Sequence, residues 1–177
     1  MPHLQKRHWL GELVRLHERA VHEALSSPEH ARYSGMRAQV LSAVLAAQND
    51  ALEPERRLRR QPRVQRAVPV RIDAPGCKAQ ALTFDLGAGG FATLVGLPPP
   101  VGTVASVALT LGPARSIHGK ARVTAVRKRG RAAARVSFAF DGLAGPGREL
   151  LERFLLDTVL AELSSSREVL EHLSLEE

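Results

Sequence analysis

Arg59, Arg60 and Arg63 lie around Pro62 in the run RRQPRV (59–64), and a carboxylate followed by glycines lies in the run TFDLGAGGF (83–91). These are the two stretches whose residue types could recognise a ligand. A guanidinium is planar, permanently charged, and presents parallel N–H donors that match two acceptors at once on a phosphate or a guanine edge. Asp85 offers the converse, an acceptor for paired donors, while Gly87, Gly89 and Gly90 let the backbone turn with positive φ or lie close against a bound molecule. Taken singly, an Arg-rich joint is a solvated linker and a glycine run is an ordinary turn. Their succession is more specific, because the Arg run feeds directly into the strands that carry the Asp-Gly turn.

Catalytic chemistry is poorly supplied. The nearest approach to a metalloprotease motif is HERAVH, but His17 and His22 are five residues apart and point about 140° away from each other on a helix. With His3, His8 and His30 they read as solvated or half-buried helix residues. No nucleophile elbow, phosphate-binding loop or paired-carboxylate pattern occurs. We therefore expect no enzyme, no catalytic residue, no metal and no resident cofactor. The single Cys77 reads as a small buried apolar side chain. A lone cysteine, with no apolar run of membrane-spanning length and no secretory segment, leads us to expect a cytoplasmic protein.

The elements that must position the two runs follow from the apolar spacing. Residues 4–26 form one amphipathic stripe through Leu10, Leu13, Val14, His17, Val21, Ala24 and Leu25. SSPE (26–29) carries a capping signature for a second helix reaching about Ala51, with Tyr33, Met36, Val40, Val44 and Ala47 on one face, so residues 1–52 are expected to form a helical hairpin. The segment 53–63 is charged and contains two prolines, which suits a linker. Six β-rich stretches then follow, VQRAVPVRID, CKAQALTFDL, GGFATLVG, TVASVALTL, IHGKARVTAVRK and RAAARVSFAF, separated by turn signals. These predict a small antiparallel barrel of α+β class over 64–163, closed by a helix at 147–163 with Leu151, Phe154, Leu155, Thr158 and Val159 on its stripe. Residues 164–177 form an acidic extension.

With those elements in place, the two runs resemble the signature of the PilZ domain, a receptor domain for the bacterial second messenger cyclic di-GMP. Its pattern is RxxxR just before the first strand and [D/N]xSxxG after the second. Arg59 and Arg63 match the first motif, with Arg60 beside them, and Asp85 and Gly90 match the outer positions of the second; Arg56 and Arg60 also satisfy RxxxR. The resemblance covers about 56–163 and not the N-terminal helices. Gly87 stands where the family has Ser. A lost neutral hydrogen bond is worth roughly 0.5 to 1.5 kcal/mol, so this departure implies an affinity lower by about two- to twelve-fold.

The resemblance implies a six-stranded barrel and a cyclic di-GMP site at Arg59, Arg60, Arg63, Asp85, Gly87 and Gly90. The placement of the arginines on a joint leads us to expect ligand-driven closure of the Arg-rich linker onto the barrel, which reorients the helices toward a protein effector. A degenerate PilZ adaptor that works only through protein contacts is the alternative. Residues 55–71 carry +6 and residues 149–177 carry −6, within a net charge of +7. That charge, with Lys120, Arg122, Arg127, Lys128, Arg129, Arg131 and Arg135, also admits a nucleic-acid-binding module, but five Phe, one Tyr and one Trp supply a stacking platform poorly. Homo-oligomerisation through the apolar helix faces is as well supported as their packing onto the barrel.

Overall fold

The computed structural model describes residues 2–23, 25–52, 60–129 and 132–163. Linker residues 53–59, which include Arg56 and Arg59, and the expected extension 164–177 lie outside the described residues. The chain divides into two compact units, Arg63–Asp157 and the residues flanking it on both sides.

In the flanking unit, α1 (Pro2–His22) and α2 (Ser27–Asp50) run antiparallel. Glu29 folds back on the start of α2 and accepts from Ser26 N–H (3.0 Å) and Ser26 Oγ (2.7 Å), which satisfies a backbone donor left open at a helix start. Arg19 also bonds Glu29, and Arg32 Nε lies 2.6 Å from Glu12 Oε1, so two ion pairs fix the register of the helices. Leu13 and Leu16 of α1 are buried, as are Tyr33, Met36, Val40, Ala43 and Val44 of α2. His17 corrects the sequence reading of a solvated or half-buried histidine. It is 4% exposed and its Nδ1 lies 2.7 Å from Tyr33 Oη, the polar partner a buried imidazole requires.

The barrel comprises β1 (Arg63–Val64), β2 (Pro69–Ala74), β3 (Cys77–Gly87), β4 (Gly90–Val95), β5 (Val104–Gly112), β6 (Arg115–Arg129) and β7 (Ala133–Leu143). Antiparallel pairing runs β3-β2-β5-β6-β7-β4 and closes through β3–β4, so six strands form a complete barrel and the two-residue β1 adds to the end of β3. Closure leaves no open edge among those six, which removes the template for edge-to-edge aggregation. Strict alternation turns Val70, Ile72 and Ala74 inward from β2, Ala105, Val107 and Leu109 from β5, and Ala134, Val136 and Phe138 from β7. Phe91 stacks on Phe138 at 4.9 Å between centroids, with Phe140 at 5.7 Å. Each large apolar side chain taken from water in this way contributes roughly 1.5 to 3 kcal/mol.

The sequence suggests one strand from Val64 to Asp73, and the structure divides it. Thr83 is the cause: its Oγ1 donates to Arg66 C=O (2.5 Å) and accepts from Val68 N–H (3.0 Å), while its own N–H reaches Val68 C=O (3.0 Å). These bonds draw 65–68 out of the ladder between β1 and β2. Finally, α3 (Gly147–Leu163) starts against β6 and β7. A Cβ at Gly147 would stand 3.3 Å from Leu143 Cβ and 3.7 Å from Ile117 Cβ. Leu151, Leu155 and Leu156 of α3 are buried.

Candidate functional site

The register brings most of the sequence-predicted residues to one corner of the barrel. Arg63 on β1 pairs with Gly87 on β3, and Gly87 pairs with Gly90 on β4, so the three form one row across three strands. Asp85 lies two residues back from Gly87. A diagonal neighbour on an adjacent strand is about 7 to 8 Å away, a distance that a long Arg side chain spans. Arg63 Nη1 does span it and donates to Asp85 Oδ1.

A cation that the motif reading left out of the site completes this cluster. Arg135 on β7 donates from Nη2 to Asp85 Oδ2 at 2.7 Å, from across β4. The bridge can cross β4 because Ala92, paired with both Asp85 and Ser137, presents only a methyl group. Asp85 is 14% exposed, whereas Arg63 and Arg135 are 30% and 38% exposed, so the carboxylate is enclosed and its cations stay hydrated on their outer sides.

Phe84 is placed by an irregularity. Thr83 pairs with Thr93 and Asp85 with Ala92, which leaves Phe84 as the extra residue of a β-bulge. The bulge turns its ring outward, 42% exposed, with the Arg135 guanidinium carbon 5.8 Å from the ring centroid. Leu94, 40% exposed, pairs in register with Arg135. The corner therefore combines an enclosed carboxylate, two half-hydrated guanidinium groups and an exposed aromatic face. That is the equipment for a planar, polar, anionic molecule able to donate to a carboxylate and stack on a ring or guanidinium.

Three details of the sequence reading change. The strand expected over CKAQALTFDL runs one residue further, since β3 continues to Gly87 and the turn is Ala88–Gly89. Of the three glycines only Gly90 has positive φ, at +153°, and close approach explains it: a Cβ there would stand 2.0 Å from Phe138 C=O on β7. Arg63 belongs to the sheet and not to the joint, since β1 begins with it. Arg60 is exposed in a bend just before β1, while Arg59 lies outside the described residues. The signal that could have found Arg135 is its place in the alternating run AAARVSF, where it faces outward between two inward residues.

Among the described residues no cluster of three or more His, Cys, Asp or Glu could hold a metal ion, and no helix is long and apolar enough to cross a membrane. Cys77 is a free, buried cysteine whose thiol burial pushes up from its ordinary range.

No curated protein matches the sequence. Three solved structures share the fold. The Bacillus subtilis inhibitor of motility MotI/DgrA aligns with TM-score 0.51 and 18% identity over 65% of this chain and 57% of that one. Escherichia coli YcgR, solved in complex with c-di-GMP, aligns with TM-score 0.52 and 18% identity over 63% and 50%. MrkH from K. pneumonia aligns with TM-score 0.51 and 19% identity over 61% and 53%. The chain thus spans only about half the length of these structures. The family model of the PilZ domain matches residues 57–157, more than half of the 177 residues and the whole of the closed barrel, and on that match the chain belongs to the PilZ domain family.

Proposed function

We propose that the chain is a cyclic di-GMP receptor, in which the Arg63–Asp85 corner seats the nucleotide and the helical region passes the occupied state to a protein effector. The observation that carries this reading is the guanidinium of Arg63 held on the carboxylate of Asp85 at the Gly87–Gly90 row. The reading also draws on YcgR, a protein of the same fold that was solved with c-di-GMP bound.

Cyclic di-GMP brings two phosphates and two guanines. Asp85 accepts from a guanine N1–H and its exocyclic amine, and Arg63, released from the carboxylate, turns its two-pronged edge to O6 and N7 or to a phosphate. Arg60 and Arg59 are three and four residues before Arg63, so the chain holds their Cα atoms within roughly 11 to 14 Å of it. They join the site as the Arg-rich linker closes onto the barrel, and Pro62 limits the conformations lost in that step. The site works by binding and carries no catalytic step. The gain is transmitted because closing the linker reorients the helices toward a partner. A free, buried Cys77 supports a cytoplasmic setting for this receptor.

A second reading, a nucleotide-free adaptor, has its own observation: both oxygens of Asp85 are engaged by cations, and Gly87 replaces the family's Ser. Calorimetry of Arg63→Ala beside wild type separates the two. The receptor reading expects the variant to lose most of the binding with its unfolding midpoint within a few degrees of wild type. Equal affinity in both would remove Arg63 from the site, and no binding by wild type would select the adaptor.

A further inference from the structure

The outer surface of β2, β5, β6 and β7 holds a groove of about 650 Å³ that shares no residue with the Asp85 corner. Its charged lining consists of Arg71 and Lys120 with Asp73 and Asp141, and His118 lies among them. Register places Arg71, Ala108 and His118 in one row across β2, β5 and β6, and Asp73, Ser106 and Lys120 in the row two residues along on the same face. Neighbouring strands are about 4.8 Å apart and alternate residues about 6.6 Å apart, so the stems of Arg71, His118 and Lys120 stand roughly 7 to 12 Å from one another around Ala108 and Ser106. The two small side chains leave the middle open, with the Ser106 hydroxyl at its floor.

The two acids in the lining pair with cations outside it. Asp73 pairs with Lys78 at 3.5 Å and Asp141 with Arg122 at 2.7 Å. Asp141 is turned toward Arg122 by a bulge, since Lys120 pairs with Gly142 but Ala121 pairs with Phe140. Arg71, His118 and Lys120 make no ion pair among the described residues. At Gly119 the wall is bare backbone, because a Cβ there would stand 2.1 Å from Gly142 C=O. Two unpaired cations, Arg71 and Lys120, and the His118 imidazole thus surround an open floor that offers a hydroxyl donor.

We propose that this groove is a second ligand site, independent of the Asp85 corner, that takes a small phosphorylated molecule. The phosphate sits over Ala108 and Ser106 between Arg71, His118 and Lys120, and the body of the molecule lies along Gly119, Gly142 and Leu143. The groove volume is in the range of small-molecule pockets. Asp73, directly across from Ser106, and Asp141 on β7 bound the phosphate position, so a ligand with a single phosphate fits it better than the continuing backbone of a nucleic acid or an acidic peptide.

The test is amide NMR of the full chain titrated with inorganic phosphate, and separately with AMP, at physiological salt. The expected result is saturable shifts at Ser106, Ala108, His118, Gly119 and Lys120, tighter for AMP than for phosphate, with Asp85 and Gly87 unmoved by phosphate. Arg71→Gln combined with Lys120→Gln should weaken phosphate binding at least ten-fold while Arg63→Ala leaves it unchanged, so the failure of either site is read separately. Shifts that rise linearly without saturating, or that the double variant leaves intact, would overturn the proposal. So would a hexaglutamate peptide or a short DNA duplex moving the same amides at lower concentration than AMP.

Discussion

Asp85→Ala separates the two tasks of one carboxylate, holding Arg63 and Arg135 in the free protein and accepting from a guanine in the bound one. The cost to stability is bounded by exposure. Both cations are about one-third exposed and can recover water on losing their partner, so each pair is worth roughly 0.5 to 1 kcal/mol and not the several kcal/mol of a fully buried one. Together they amount to about 1 to 2 kcal/mol. For a unit of this size that lowers the unfolding midpoint by roughly 5 to 10 °C. The cost to binding is larger. Two hydrogen bonds to a charged acceptor are worth about 1.5 to 3 kcal/mol each. Less the ion pairs that binding already gives up, about 3 kcal/mol remains, or a rise in Kd of roughly 150-fold. Scanning calorimetry gives the first quantity and isothermal titration with cyclic di-GMP the second. A midpoint shift of the expected size with unchanged Kd would make Asp85 a structural ion-pair partner only. A midpoint lower by more than about 20 °C would refute the argument from exposure.

Further outcomes follow from single contacts. Gly87→Ser restores the family residue beside Arg63 and should tighten cyclic di-GMP by about two- to twelve-fold, and no gain would show that the hydroxyl has no ligand atom to reach. Gly90→Ala places a methyl 2.0 Å from a backbone oxygen and should cost more than about 3 kcal/mol, whereas Gly76→Ala, at φ +72° with open space around it, should cost about 1 to 2 kcal/mol. Equal costs by chemical denaturation would disprove the close approach. Glu29 has its carboxyl held down to about 2 by hydrogen bonds from Arg19 and Ser26. A depressed folded-state value gives stability that is complete above the ordinary range near 4.5 and is lost as pH falls through about 2. Helical circular dichroism should therefore decline from pH 4.5 toward 2 in wild type, and Glu29→Gln should flatten that decline.

The barrel was legible because its strands alternate, and alternation is a local property: Val70, Ile72 and Ala74 declare their face with no knowledge of any partner. The capping run at Ser26 and Glu29 was legible for the same reason. What stayed hidden depends on residues distant in sequence. The break between β1 and β2 is made by Thr83, 15 and 17 residues beyond the backbone groups it captures. Arg135 joins Asp85 from 50 residues away; its alternating run marks it as outward-facing but not as a partner of Asp85. Gly90 needs its conformation because β7 lies against it, and a short-range reading that named Gly87, Gly89 and Gly90 alike could not single it out. The burial of His17 likewise depends on Tyr33 in the other helix.

The measurement that bears most directly on the receptor reading is titration of the wild-type full chain with cyclic di-GMP, with GTP and cyclic di-AMP in parallel. A saturable heat with cyclic di-GMP is expected, together with none from cyclic di-AMP, whose adenines present no O6 acceptor to Arg63 and no N1–H to Asp85, and little from GTP, which has one guanine where the site takes two. Equal responses to all three would reduce the corner to a nonspecific anion patch. No response to any of them would leave the Arg63–Asp85–Arg135 bridge as a permanent structural clamp.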